Sequence, residues 1–489
     1  MRRLHQTTAL RLLAAPVLMI TAIACGGPDP NASGRAPLAD KWLTRAKAAY
    51  RTGDLEDAIT AIDGALKNAP KDPETRLLGA RIALAKLDYA EAVKLTEGMT
   101  GSDVKGMRGR AFWYAGDIEK AADELEEMLR DPSVKDNWAK EVAKLARRGQ
   151  GRHPFAIEGA LVAAVEMPQA GPALVVPVEL EGERILALVA TAMGELMIDS
   201  SSRKEPAWVN LRFGEKLEVK DVPALTTDLS NISRQLGAPI KALIGINALR
   251  HMHVTFDRRG SQFVVRKTDA TAPPDASKVP LFYVRGGGMM MRGSVSNKED
   301  GNALLFVDSS AFYPLALDDQ MLKRSGADLG AFRSEPGAPA SWKLGTLPYF
   351  KLGTLDLPQI PAMQGTPLGE YKNNFDVDLQ GVVGAGLLSA FRVTFGDDGR
   401  WVWLEVDPSL MGGAQGSPLD EGPKPLPPPG GGPVPPAGPP VGPAPVGPPK
   451  PAPKTGPTPP IGPTAPPATA PSPGAKTNAP KTESKGAAK

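Results

Sequence analysis

Two stretches of this chain match each other without a gap. Gly245 aligns with Gly384, Leu249 with Leu388, Val254-Thr255-Phe256 with Val393-Thr394-Phe395 and Gly260 with Gly399, every pair 139 residues apart. Upstream of each stretch lies an apolar run that delivers an aspartate into small hydroxyl residues: Leu-Met-Ile-Asp199-Ser200-Ser201 and Leu-Phe-Val-Asp308-Ser309-Ser310. Between aspartate and glycine, both copies alternate apolar and polar residues around Gly-containing turns, the pattern of β-hairpins. The aspartates are 109 residues apart, so the second copy carries 30 more residues between its Asp and its Gly. The chain therefore holds a duplicated β unit, with copies expected over 155–268 and 278–409.

The N-terminal half reads differently. Residues 38–150 place Ala, Leu, Lys and Glu at helical spacing, interrupted by Gly-Asp or Asp-Tyr turns. Trp42, Ala46, Gly53-Asp54, Ala58, Ile62, Ala65 and Pro70 form one unit. A second keeps Gly79-Ala80, Asp88-Tyr89 and Ala92, with Leu87 following Gly53 by 34 residues. A shorter third has Gly109, Trp113, Gly116-Asp117 and Ala121, and a helix over 136–148 caps the array. These positions resemble the tetratricopeptide repeat. The resemblance implies stacked helix pairs whose concave face binds a protein or peptide ligand.

Residues 1–11 are basic, and the apolar run 12–24 has 13 residues, too short to span a bilayer. It ends in Ala22-Ile23-Ala24-Cys25-Gly26, and Cys25 is the single cysteine, which excludes internal disulfides and multi-cysteine metal sites. Small residues before a lone Cys resemble the lipobox of bacterial lipoproteins. The resemblance implies cleavage after residue 24, lipidation of Cys25, a linker over 25–37 and a membrane contact made through the lipid. Gly26 is not the Asp that retains enterobacterial lipoproteins at the inner membrane, so a periplasm-facing position at the outer membrane of the bacterial cell envelope is expected.

At the other end, 26 of the 51 prolines lie in 411–489, a stretch without aromatic residues, expected to be a disordered, extended spacer. The net charge of +3 comes from the ends. Three arginines in the first eleven residues, and seven lysines against three acids in the tail, leave about four negative charges on the body. No basic face argues for nucleic acid.

The repeated strand–Asp–Ser unit with its downstream apolar-apolar-Gly segment resembles the aspartic proteases of the retropepsin and pepsin type over roughly residues 156–405. The expected fold class is therefore multidomain: all-α tetratricopeptide-like repeats, then a two-lobed all-β aspartic-protease-like domain and the Pro-rich tail. The resemblance implies that Asp199 and Asp308 meet across a pseudo-twofold axis and share one proton, the ionised member activating water and the protonated one polarising the scissile carbonyl. Ser200 and Ser309 would bond across to the opposite loop. Gly245 and Gly384 would lie where a strand threads beneath each turn. The third motif position, Gly in active members of the family, is Ser201 in one copy and Ser310 in the other. Two functions follow from this: an envelope endopeptidase using the dyad, or an inactive homologue that binds a peptide between its lobes or acts as a scaffold. No cofactor is implied. His251 and His253, read as alternating on a strand, lack a carboxylate cluster nearby and give no metal site. The Gly-x-Gly of 384–386 lacks the long helix of a dinucleotide loop.

Overall fold

The computed structural model describes residues 35–406 apart from Gly286, residues 335–338 and Pro367. The expected signal segment 1–24, Cys25, nearly all of the 25–37 linker and the 411–489 tail lie outside the described residues.

Seven helices come first: α1 (Pro37–Arg51), α2 (Leu55–Asn68), α3 (Pro73–Ala85), α4 (Tyr89–Thr96), α5 (Ser102–Tyr114), α6 (Ile118–Leu129) and α7 (Asn137–Arg147). Their starts are set by one device. Asp54, Asp72, Asp88, Asp117 and Asp136 each accept a hydrogen bond from the backbone N–H three residues on, as N-caps do. The residue before three of these caps turns the chain through the left-handed region: Gly53 at φ 70°, Leu87 at 63° and Gly116 at 81°. Glycine does this freely; Leu87 does it with its side chain buried. Fully buried Ala46, Ala58 and Ala65 let α1 and α2 approach closely.

The first β lobe comprises β1 (Ala156–Gly159), β2 (Val162–Glu166), β3 (Val175–Leu180), β4 (Glu183–Ala190), β5 (Leu196–Asp199), β6 (Ala207–Phe213), β7 (Leu217–Thr227), β8 (Ile240–Gly245), β9 (Thr255–Asp257) and β10 (Gln262–Arg266). Short helices α8 (Ser230–Leu236) and α9 (Ile246–His251) flank β8. The second comprises β11 (Ser277–Val284), β12 (Gly288–Ser294), β13 (Asn302–Asp308), β14 (Leu315–Leu317), β15 (Arg333–Ser334), β16 (Lys343–Leu352), β17 (Leu355–Gln364), β18 (Gly381–Gly384), β19 (Phe391–Gly396) and β20 (Trp401–Val406), with helices α10 (Asp319–Arg324), α11 (Leu368–Asn374) and α12 (Ala385–Leu388).

Strand pairing makes the duplication explicit. β4 runs parallel to β8, and β5 is antiparallel to β8 and parallel to β7. In the second lobe β13 runs parallel to β18, and β14 is antiparallel to β18 and parallel to β17. So β4, β5, β7 and β8 correspond to β13, β14, β17 and β18. The lobes join through one continuous sheet in which β2-β10-β9 meets β19-β20-β11, three strands from each. β9 pairs with β19 at Thr255 and Thr394, whose hydroxyls are 2.9 Å apart and buried. These two threonines are the duplicated pair, so the pseudo-twofold axis passes between them.

The helices do not stand apart from the lobes. Tyr50, Ile82 and Ala85 share a buried apolar cluster with Phe282, Val284, Leu304 and Phe306 of lobe two. Arg292 bonds to Asp54 at 2.8 Å, and the Trp208 indole N–H donates to the Leu145 carbonyl at 2.9 Å. The helix-turn edge is thus part of the protein's own core. Among the described residues no helix is long and apolar enough to cross a membrane. His251 ends α9 and His253 follows in a left-handed turn at φ 45°, beside the carboxylates of Asp269 (2.8 Å) and Asp398, which corrects the expectation that the two alternate along a strand without carboxylates nearby.

Candidate active site

In each lobe an apolar strand buried along its inner length ends at the axis. Ile185–Ala190 of β4 and Ala303–Asp308 of β13 are buried at every position. Parallel pairing sets Ala190 beside Gly245 and Asp308 beside Gly384. Both glycines are required by close backbone approach. A Cβ on Gly245 would lie 2.1 Å from the Glu195 carbonyl oxygen, and one on Gly384 2.0 Å from that of Tyr313.

Beyond these strand ends the lobes clasp each other. Thr191 Oγ1 donates to the Val307 carbonyl (2.8 Å) and accepts from the Ser309 N–H (3.0 Å). Ser309 Oγ donates to the Val189 carbonyl (2.7 Å) and accepts from the Thr191 N–H (3.0 Å). All four bonds are buried and nearly symmetric, so Ala190-Thr191-Ala192 is the counterpart of Asp308-Ser309-Ser310.

This corrects the pairing expected from the sequence. Asp199 ends β5 and corresponds to Asp318, which follows β14. Ile198 lies opposite Ala242 on β8, so Asp199 sits beside Lys241, four residues of strand (~13 Å) from the Gly245 end. Burial works to raise its pKa, but hydrogen bonds from the Ser201 hydroxyl and from Lys241 Nζ at 3.0 Å outweigh it and hold the carboxyl below its ordinary value. Ser200 donates its N–H to the Thr227 carbonyl within lobe one and makes no bond across to lobe two among the described residues. Asp199, Ser200 and Ser201 tie the end of β5 to β7 and β8. Asp318, their counterpart, caps α10 and pairs with Lys372.

Asp308 therefore faces the axis with the Ala190 methyl at the twofold-related position. Its Oδ1 accepts from the Ser310 N–H (2.9 Å) and hydroxyl (2.5 Å), and its Oδ2 from the Tyr371 hydroxyl (3.0 Å). Burial and the adjacent Asp308 charge push the Tyr371 phenol far up, and burial pushes Tyr313 up to about 12, so Tyr371 remains a donor to the carboxylate. Phe312 packs onto the apolar cluster of lobe one, and Ala192 packs into that of lobe two. Asp308 is 6% exposed beneath these contacts. Among the described residues the position opposite Asp308 is held by the Ala190 methyl, and both oxygens of Asp308 are engaged by Ser310 and Tyr371.

Sequence reasoning missed Ala190, Thr191 and Tyr371. A signal existed for the first two. Val189 and Thr191 precede Val307 and Ser309 by a constant 118 residues, and this register leaves 21 rather than 30 extra residues before the second glycine.

Residues 43–97 match the tetratricopeptide repeat family model. No curated protein matches the sequence. Among solved structures, the chain is similar to the Sgt2 tetratricopeptide domain from Aspergillus fumigatus (20% identity, 23% of this chain and 80% of that one, TM-score 0.22). It is similar to a retropepsin-like aspartic protease from Rickettsia conorii (19% identity, 28% of this chain and 95% of that one, TM-score 0.21). It is also similar to the basic 7S globulin of soybean (10% identity, 52% and 97%, TM-score 0.33). Strand order and the clasp at the axis define the class: helical repeats fused to a two-lobed, aspartic-protease-like β domain.

Proposed function

We propose that this protein is a catalytically silent relative of the aspartic proteases that acts as a scaffold at the bacterial cell envelope. The observation that carries this reading is Ala190, which sets a methyl group where the second carboxylate of a dyad would stand. The endopeptidase reading needs Asp199 at the axis, and Asp199 lies at the far end of β5. With Asp308 buried, the surface that suits a partner is the inner face of the first repeats. A groove of about 940 Å³ runs between α1, α3 and residues 375–380 of lobe two. Lys47, Arg51 and Arg81 line it, each paired with an acid: Glu74, Asp378 and Asp376. An acidic peptide segment replacing Asp376 and Asp378 is the ligand class this lining suits.

The test is proteolysis. Wild type and Asp308→Asn are incubated with a denatured protein between about pH 3 and 8, the range in which a carboxylate dyad would act. Neither is expected to cleave it. Cleavage by the wild type that Asp308→Asn abolishes would restore the endopeptidase reading.

The envelope location rests on the lipobox-like segment before Cys25. A diacylglycerol on that sulfur contributes roughly 0.8 kcal/mol per buried CH₂, enough over two chains to hold the protein at a membrane. Cys25→Ala is expected to move the protein from the membrane to the soluble fraction after cell lysis. Retention of the variant with membranes would remove the lipid anchor.

A further inference from the structure

A second site lies away from the axis, where α5, the linker into lobe one and α9 converge. A cavity of about 100 Å³, room for several water-sized groups, is walled by the rings of Trp113, Tyr114 and Phe155 and by the polar ends of Glu195, Asn247 and His251. It reaches the surface at the exposed turn between α5 and α6.

Two features of its lining, at Glu195 and Asn247, are costly unless something binds there, and Phe155 and His251 shape the wall beside them. Glu195 is 5% exposed, and its carboxylate accepts from the Trp113 indole N–H (3.3 Å), the Tyr114 hydroxyl (3.2 Å) and the Trp138 indole, all neutral donors. The cation whose field reaches it, Arg110, is itself paired with Asp136 at 2.8 Å. A carboxylate buried without a cation is penalised by several kcal/mol, and burial accordingly pushes the Glu195 pKa up. Asn247 is 3% exposed. Its Oδ1 accepts from Arg250 Nε at 3.0 Å, while its Nδ2, also buried, has no hydrogen-bond partner among the described residues. An N–H left in this state costs about 1–3 kcal/mol. Phe155 holds φ at 60°, a strained value for a residue with a Cβ, and so stacks on His251 with ring centres 4.6 Å apart. Burial pushes the His251 pKa well down, which keeps the imidazole neutral and leaves it an acceptor nitrogen.

We infer that this cavity binds the ammonium end of a small organic amine, with an oxygen on the ligand accepting the Asn247 N–H. The ammonium supplies the charge that Glu195 lacks, and three aromatic rings add cation–π attraction. Calcium or magnesium does not suit the site, because one carboxylate among aromatic walls falls short of the six or more oxygens these ions take. The ligand would touch both the repeats and lobe one, and so would strengthen their union.

Ethanolamine is the probe, titrated by calorimetry into the full-length protein in an amine-free buffer. Saturable binding at one site is expected, and ethylene glycol, its uncharged counterpart, should not bind. Glu195→Gln keeps the shape and an acceptor for Trp113 and Tyr114, gives up the acceptor for Trp138, and should weaken ethanolamine binding about tenfold or more. No saturation up to about 100 mM ethanolamine, a concentration at which even millimolar affinity would be evident, overturns the inference. So does an equal response to ethylene glycol, which would mark a hydrated cavity only. If Glu195→Gln fails to fold, the two-probe comparison on the wild type decides by itself.

Discussion

The double variant Thr191→Val/Ser309→Ala is expected to melt about 10 °C or more below the wild type. Each hydroxyl donates one bond across the axis and accepts another, so removing both strands the Val189 and Val307 carbonyls and two buried N–H groups. A buried polar group left unpaired costs about 1–3 kcal/mol, and four of them approach the whole stability of a typical domain. In a β domain of about 250 residues each kcal/mol is worth about 2–4 °C. Thr191→Ser retains the hydroxyl and loses only a methyl group, so it should melt within a few degrees of the wild type. Differential scanning calorimetry reads both. A double variant that melts with the wild type would mean the clasp contributes nothing to holding the lobes together.

Ala58→Arg should be equally severe, for a different reason. Ala58 is fully buried in α2, where the small side chain lets the helix lie close against its neighbours. A guanidinium there must either be buried without a partner or push the helices apart. Overpacking costs about 1–3 kcal/mol and an unpaired buried charge costs more. The damage will not stay in the repeats. Tyr50 and its neighbours cover Phe282, Leu304 and Phe306, so loosening α1 and α2 uncovers the apolar face of lobe two. The variant is expected to lose helical circular dichroism, bind a hydrophobic dye and aggregate. An Ala58→Arg protein with wild-type ellipticity and melting would remove the tight packing assigned to this position.

The protein's organisation was legible wherever neighbours in sequence carry the signal. Helices announce themselves through an aspartate cap, a left-handed turn and apolar residues at helical spacing, all within one or two turns of chain. The duplicated Gly245 and Gly384 segments were readable because a backbone that passes about 2 Å from where a Cβ would lie tolerates nothing but glycine in either copy. The count of two β lobes and one helical array therefore follows from residues alone.

The composition of the site did not. Lobe one offers two strand ends nine residues apart, at Ala190 and Asp199, and the more conspicuous one kept its aspartate. Which of them meets Asp308 depends on the parallel pairing of β4 with β8, partners about 55 residues apart with no local mark of their union. Tyr371 reaches Asp308 across 63 residues, again through tertiary packing. The docking of the repeats was hidden for a related reason: Tyr50, Leu304 and Phe282 each read as the core of their own element, and apolar residues carry no label saying which partner will cover them. Sequence alone determined a helical array and a twofold β domain. The tertiary structure decided that the axis holds one carboxylate and a methyl group, because that choice belongs to long-range strand pairing and not to the residues on either side of an aspartate.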